Sequence, residues 1–209
     1  MNKSFIAFLS IIICTFVQSS AQTTTVDGYL DKVIENIIKS KGITAEFTMQ
    51  GSTNSGLYMQ GTMKMQGKKF YLSTNDLTTW YDGKTLWSYA PSIGEVNITT
   101  PTRQELAEIN PYLLLDNYKQ SFTAQELQSK HKGERVFRLT PTKRNTPYAH
   151  ITVCVATESM SPITFEITDN NNQTTLIAIT NYNNKATLSA QTFAFDASQY
   201  PNVAIIDLR

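Results

Sequence analysis

The chain has 209 residues, a length that predicts one domain around one core. With 41% hydrophobic and 11% aromatic residues it is too apolar to be disordered. Its 18 Lys and Arg against 17 Asp and Glu give a net charge of +1, which excludes a general nucleic-acid binder and a polybasic membrane-surface protein.

The N-terminus carries Lys3, then an apolar run from Phe5 to Val17, then the small residues Ser19-Ser20-Ala21. The run is short for a membrane span and ends in a small-x-small site, the pattern of a secretory signal peptide. Cleavage is expected between Ala21 and Gln22, dividing the chain into a leader, 1–21, and one exported domain, 22–209. Cys14 follows Ile12 and Ile13 and sits inside the apolar run, so no lipid-modified N-terminus is expected. Loss of Lys3 with the leader leaves equal numbers of basic and acidic residues, and Cys154 is then without an internal disulfide partner.

Val26, Tyr29, Leu30, Val33, Ile34, Ile37 and Ile38 recur at three- and four-residue steps, which predicts an amphipathic helix. Thr24 or Thr25 suits its start and Gly42 its end. Its polar face has too few basic residues for a membrane-surface helix, so it is expected to pack on the domain's own core. From residue 43 the period becomes two: Ile43, Ala45, Phe47 and Met49 alternate with polar residues, and Leu57, Met59, Met63 and Met65 continue the pattern after a loop at 51–55. Gly67-Lys68 reads as a turn before a strand at 70–73. Trp80-Tyr81, Asp82-Gly83 and Lys84–Tyr89 read as a hairpin, Asp-Gly supplying the positive φ. Further strands are expected at 93–98, 118–124, 134–140, 148–156, 161–169, 174–182 and 190–196.

Between 101 and 117 the strand rhythm breaks. Thr102-Arg-Gln-Glu105 is a capping box opening a short helix, and Asn110-Pro111 places a cap and a first-turn proline before Tyr112-Leu113-Leu114-Leu115. Antiparallel strands with one apolar face make a curved sheet or incomplete barrel, and the helices must cover its concave side. The fold class is therefore mainly β with α.

Chemistry is sparse. His131 and His150 stand apart with no second ligand at metal spacing, so no metal site is expected. Cys154, in Ile151-Thr-Val-Cys-Val155, has no neighbouring cation to activate it and is expected to be an inert buried thiol. There is no nucleophile elbow, phosphate loop or nucleophile-and-base pair, so no catalytic residue, no cofactor and no enzyme activity are expected. What the chain has is surplus apolar surface: Phe47, Met49, Met59, Met63, Met65, Phe70, Leu72, Trp80, Trp87 and Tyr89 on successive strands. Methionine is unbranched and polarizable. Such side chains serve as core filler or as a wall that accepts chains of variable shape, and residue type leaves both open.

Several strings resemble the outer-membrane lipoprotein carrier family, LolA. They are Ala45-Glu-Phe-Thr-Met-Gln50, Trp80-Tyr-Asp-Gly-Lys-Thr-Leu-Trp-Ser-Tyr-Ala-Pro91, Asn110-Pro-Tyr-Leu-Leu-Leu115, Phe137-Arg-Leu-Thr-Pro141 and Phe193-Ala-Phe195, in the family's element order over nearly the whole mature chain. The resemblance implies an unclosed barrel with a helical lid over an apolar cavity, here lined by the ten residues above together with Leu113 and Leu114. It implies a soluble, unanchored periplasmic monomer that takes acylated lipoprotein or lipid from an inner-membrane ABC-type releasing complex, shields the acyl chains, and passes them to an outer-membrane receptor. No nucleic acid takes part. A lipid- or lipoprotein-sensing regulatory module on the same scaffold is the alternative.

One departure stands out. The family has an Arg-Pro pair at the start of the third strand, where the Arg bonds lid backbone and holds the empty cavity shut. Here Gly67-Lys68-Lys69-Phe70 occupies that stretch, and Lys69 is the candidate latch, without the planar fork of Arg.

Overall fold

The computed structural model describes residues 26–52, 56–114 and 118–209. The expected leader, its cleavage site and the caps at Thr24 or Thr25 lie outside the described residues. No described helix is long and apolar enough to cross a membrane.

The first helix, α1, spans Val26–Ile38 and buries Tyr29, Leu30, Val33, Ile34 and Ile37, the stripe its spacing predicts. Six strands follow as a meander: β1 (Ile43–Gly51), β2 (Tyr58–Gln66), β3 (Lys69–Thr74), β4 (Thr78–Tyr81), β5 (Leu86–Ala90) and β6 (Glu95–Thr99). Next come α2 (Arg103–Ile109), a 3-10 turn (Pro111–Leu114) and the single helical turn α3 (Tyr118–Ser121). A second meander runs through β7 (Phe122–Leu127), β8 (Glu134–Pro141), β9 (Tyr148–Ala156), β10 (Pro162–Asp169) and β11 (Thr174–Asn183). Two short 3-10 turns, Ala190–Phe193 and Ala197–Gln199, precede the last strand, β12 (Ala204–Asp207).

The twelve strands among the described residues form one sheet, ordered β12-β6-β5-β4-β3-β2-β1-β11-β10-β9-β8-β7. The two meanders join where β1 pairs with β11, Phe47 opposite Ile179. β7 and β12 do not pair with each other, so the sheet curls without closing. This is the mainly β, incomplete barrel expected, with one exception to its antiparallel order: β12 runs parallel to β6.

That exception follows from topology. β11 lies in mid-sheet and β12 at its edge, so the chain between them must cross one face of β1 to β5. It crosses the face opposite α1. Phe193 is fully buried there against β3 and β4, and Phe195 and Tyr200 meet Trp80 edge-on at 5.5 and 5.9 Å. The strand expected at 190–196 is therefore a 3-10 turn and a packed extended stretch; its alternating phenylalanines cover a sheet instead of joining one. Likewise the strand expected from 118 begins as a helical turn and becomes β7 only at Phe122.

Local chemistry sets the remaining corners. Between β4 and β5 the Asp82 carboxylate accepts the backbone N–H groups of Lys84 and Thr85, both at 2.8 Å, and Gly83 takes φ +104°. At α2 the predicted capping box is complete: the Glu105 N–H donates to Thr102 Oγ1, and the Thr102 N–H donates to Glu105 Oε2 at 2.7 Å. Asn110 Oδ1 accepts the N–H of Tyr112 at 3.1 Å and starts the following turn.

Candidate functional site

One continuous core lies between the inner face of the sheet and the helical layer. It joins Tyr29, Leu30, Val33, Ile34 and Ile37 of α1 to Phe47, Met63, Met65 and Phe70 of β1 to β3, and to Phe137, Ile151, Phe165 and Ile177 of the second meander. Leu106 and Tyr112 enter it from α2 and the 3-10 turn.

The cover consists of separately anchored pieces. α1 is tied to the second meander: Tyr29 stacks on Phe137 at 5.6 Å, and the Arg135 guanidinium lies 3.9 Å from the Tyr29 ring centre. Arg135 is itself held by Glu126 through bonds of 2.8 and 2.7 Å, which lower the Glu126 pKa. Asp31 of α1 receives the Tyr118 hydroxyl at 3.3 Å and the Lys119 ammonium at 2.5 Å. The 3-10 turn is held differently. Asn110, wholly buried, donates from Nδ2 to the Met65 sulfur at 3.7 Å, a weak bond to a weak acceptor. Tyr112 packs edge-on against Phe165 at 5.1 Å. Burial pushes the Tyr112 phenol well above its usual pKa and that of Tyr182 up to about 12, so both hydroxyls stay neutral.

At the seam between these pieces is a slot of about 70 Å³, walled by Ile34, Ile37, Ile38, Met65, Gly67, Lys68, Tyr112 and Leu113. Ile38 remains 50% exposed at its rim. Lys68 and Leu113 also line a separate, wider cleft of about 330 Å³, together with Tyr81, Gly83, Pro101, Arg103 and Leu106. A larger surface hollow, about 450 Å³ beside Glu46, Thr48, Gln60, Thr62, Ser73 and Thr180, is polar and shallow. Chemistry favours the smaller, apolar slot as the binding seam.

The predicted cavity residues divide between two faces. Phe47, Met63, Met65 and Phe70 lie in the inner core, with Met49, Met59, Leu72 and Leu113 half-buried against it. The side chain of Leu114 lies outside the described residues. Trp80, Trp87 and Tyr89 are not brought to this face. Trp80 is opposite Trp87 and Thr78 opposite Tyr89, one step out of phase with the core pair Tyr81 and Leu86. These three rings belong to the outer face, where the C-terminal segment covers Trp80 and Tyr89, the latter meeting Tyr200 at 4.9 Å. Lys69 lies out of phase with Phe70 and does not line the slot; Lys68, in the turn before it, lines both slot and cleft. Sequence reasoning missed Tyr81, Leu106 and Arg103 as cleft residues. It read the helix stripe of Ile34, Ile37 and Ile38 as core packing alone, although Ile38, the one exposed member, closes the slot.

The other candidates stay apart. Among the described residues, no group of three or more His, Cys, Asp or Glu side chains gathers to hold a metal ion. Cys154 donates its S–H to Glu134 Oε2 at 3.3 Å, and burial together with that carboxylate raises its pKa to about 11. At pH 7 the native thiol should react with iodoacetamide about 100-fold more slowly than an ordinary cysteine, because only the thiolate attacks. Alkylation followed by mass spectrometry measures this, and a rate unchanged on unfolding would show that the thiol is not protected.

Comparison with known proteins gives this geometry a family. The sequence profile described as "Outer membrane lipoprotein carrier protein LolA" matches residues 13–171. The chain belongs to the LolA family. Solved structures share the fold. An uncharacterized conserved protein from Thermus thermophilus aligns with TM-score 0.56 at 12% identity, covering 87% of this chain and 98% of that one. A DUF1329 family protein from Desulfovibrio piger aligns with TM-score 0.50 at 13% identity, covering 85% and 100%. A LolA superfamily protein from Nitrosomonas europaea aligns with TM-score 0.46 at 11% identity, covering 82% and 98%. No curated protein matches the sequence.

Proposed function

We propose that this LolA-family protein is an exported periplasmic carrier. In this reading it shelters the acyl chains of lipoproteins or a related lipid, takes them from an inner-membrane ABC-type releasing complex, and delivers them to an outer-membrane receptor. It performs no covalent chemistry. The observation that carries the reading is the apolar slot at the seam between two separately anchored lid pieces, α1 and the Asn110–Leu113 turn.

Magnitudes constrain how such a carrier works. A methylene fills about the 30 Å³ of a liquid water, so a slot of about 70 Å³ admits only the tip of a chain. Uptake of a whole chain therefore requires the seam to widen. Burying a methylene is worth about 0.8 kcal/mol, so roughly a dozen stabilise the complex by about 10 kcal/mol. Release into water is then slow, and cargo must pass directly from one apolar site to another.

Protein purified gently from membrane-containing extract should carry extractable acyl lipid, and the emptied protein should bind a fluorescent fatty acid. Absence of both results would end the carrier reading. If lipid binds but depletion leaves lipoproteins correctly sorted to the outer membrane, the sensing module is the better account.

A further inference from the structure

The lid turn carries a hydrogen-bonding group that the closed structure leaves idle. We infer that the Tyr112 hydroxyl is the polar contact of the binding seam, donating to the carbonyl oxygen of an acyl group and so telling acyl chains from alkyl chains. The inference rests on the acyl-binding reading of the slot and names the cargo atom that is read.

Tyr112 walls the slot and is only 5% exposed. Its hydroxyl has no hydrogen-bond partner among the described residues. The large majority of buried polar side-chain atoms in native proteins are paired, so an orphan on a residue that walls an apolar cavity points to an occupant. Burial raises the phenol well above its usual pKa, so the group keeps its proton and remains a donor. The Tyr182 phenol is close enough to raise it further, yet does not bond it. Phe165 meets the ring edge-on, and Ile34, Ile37, Met65 and Leu113 of the slot carry no side-chain oxygen to accept from it. The same turn holds a second poorly matched donor. The Asn110 amide, wholly buried, donates to the sulfur of the slot residue Met65 at 3.7 Å. An acyl chain is hydrocarbon except for one strong acceptor at its head, the carbonyl oxygen. A chain drawn in tail first brings that atom to rest at the seam, beside the turn that carries Tyr112.

The test compares ester-linked with ether-linked lysophosphatidylcholine of the same chain length, below their micellar concentrations, on the delipidated protein. The two share headgroup, charge and tail, and differ in the carbonyl. The wild type should bind the ester lipid about fivefold more tightly, the effect of one neutral hydrogen bond. Tyr112→Phe should bring that ratio close to one. Any effect of the substitution on lid opening acts on both lipids alike and cancels in the ratio, which a merely structural role would leave unchanged. Phenylalanine keeps the contact with Phe165, so the variant should fold; circular dichroism checks this. Equal binding of the two lipids by the wild type, a preference for the ether, or a ratio that survives in Tyr112→Phe overturns the inference and leaves chain binding intact. If neither lipid binds, this inference and the carrier reading fall together.

Discussion

Replacing Gly61 with alanine should destabilise the protein by about 3 kcal/mol or more, a core overpacking effect of the larger kind. Gly61 stands on the inner face of β2, opposite Phe47 of β1 and Thr74 of β3. A methyl group there would lie 2.2 Å from the Ser73 carbonyl oxygen and 2.9 Å from the tip of the Phe47 ring. A ring can turn. A carbonyl in the β2–β3 ladder cannot withdraw without carrying its strand with it, so the cost falls on the ladder itself. The missing side chain lets the β3 backbone approach and lets the Phe47 ring lie over the gap. Urea unfolding measures the loss as a lower midpoint at unchanged slope. Gly56→Ala is the control: its φ is +62° with nothing within 4 Å, so only backbone strain of about 1 kcal/mol is expected. If the two variants lose equal stability, close approach of strand and ring is not what glycine provides at 61.

Legibility in the sequence followed how many faces of an element are buried. α1, β1 and the second half of β2 each have one apolar face and one wet one, and their periods show it: Leu30, Val33 and Ile37 on the helix, Ala45 and Phe47 on the strand. β4 has no such contrast. Thr79, Trp80 and Tyr81 are all buried because the lid covers one face and the C-terminal segment the other. No rule of alternation separates Trp80 from Tyr81 there, so the sequence alone does not tell the three outer aromatic residues from cavity lining. Phe193 and Phe195 misled in the converse way, since two apolar residues at a spacing of two fit a strand and fit a segment lying on one. β12 is four residues long, and three of them are exposed. It exists because β6 offers an unpaired edge, a fact of topology with no local signature. The family strings pointed to the correct sheet and lid. They could not show which lysine faces the seam, because Lys68 and Lys69 differ only by the phase of a turn.

The second large effect concerns the lid, and its expected sign is unusual. Tyr112→Phe should stabilise the protein and weaken its hold on acyl chains. The Tyr112 ring is buried against Phe165, and its hydroxyl finds no hydrogen-bond partner among the described residues. A buried hydroxyl left unpaired costs about 1–3 kcal/mol, the desolvation it never recovers. Phenylalanine keeps the ring contact and removes the cost. The closed arrangement should therefore gain about 1 kcal/mol or more, read as a higher unfolding midpoint. If cargo uptake swings the Asn110–Leu113 turn away from Met65, the open state gives that hydroxyl back to water, so the tyrosine favours opening. Removing it makes the lid harder to lift, and the apparent affinity for a fluorescent fatty acid should fall by about fivefold for each kcal/mol gained. Stabilisation with unchanged affinity would mean that the turn stays in place during binding and that α1 moves instead, against its anchors at Tyr29 and Asp31. A loss of stability would mean that the hydroxyl is paired in solution, and the closed lid would then hold no strain for cargo to release.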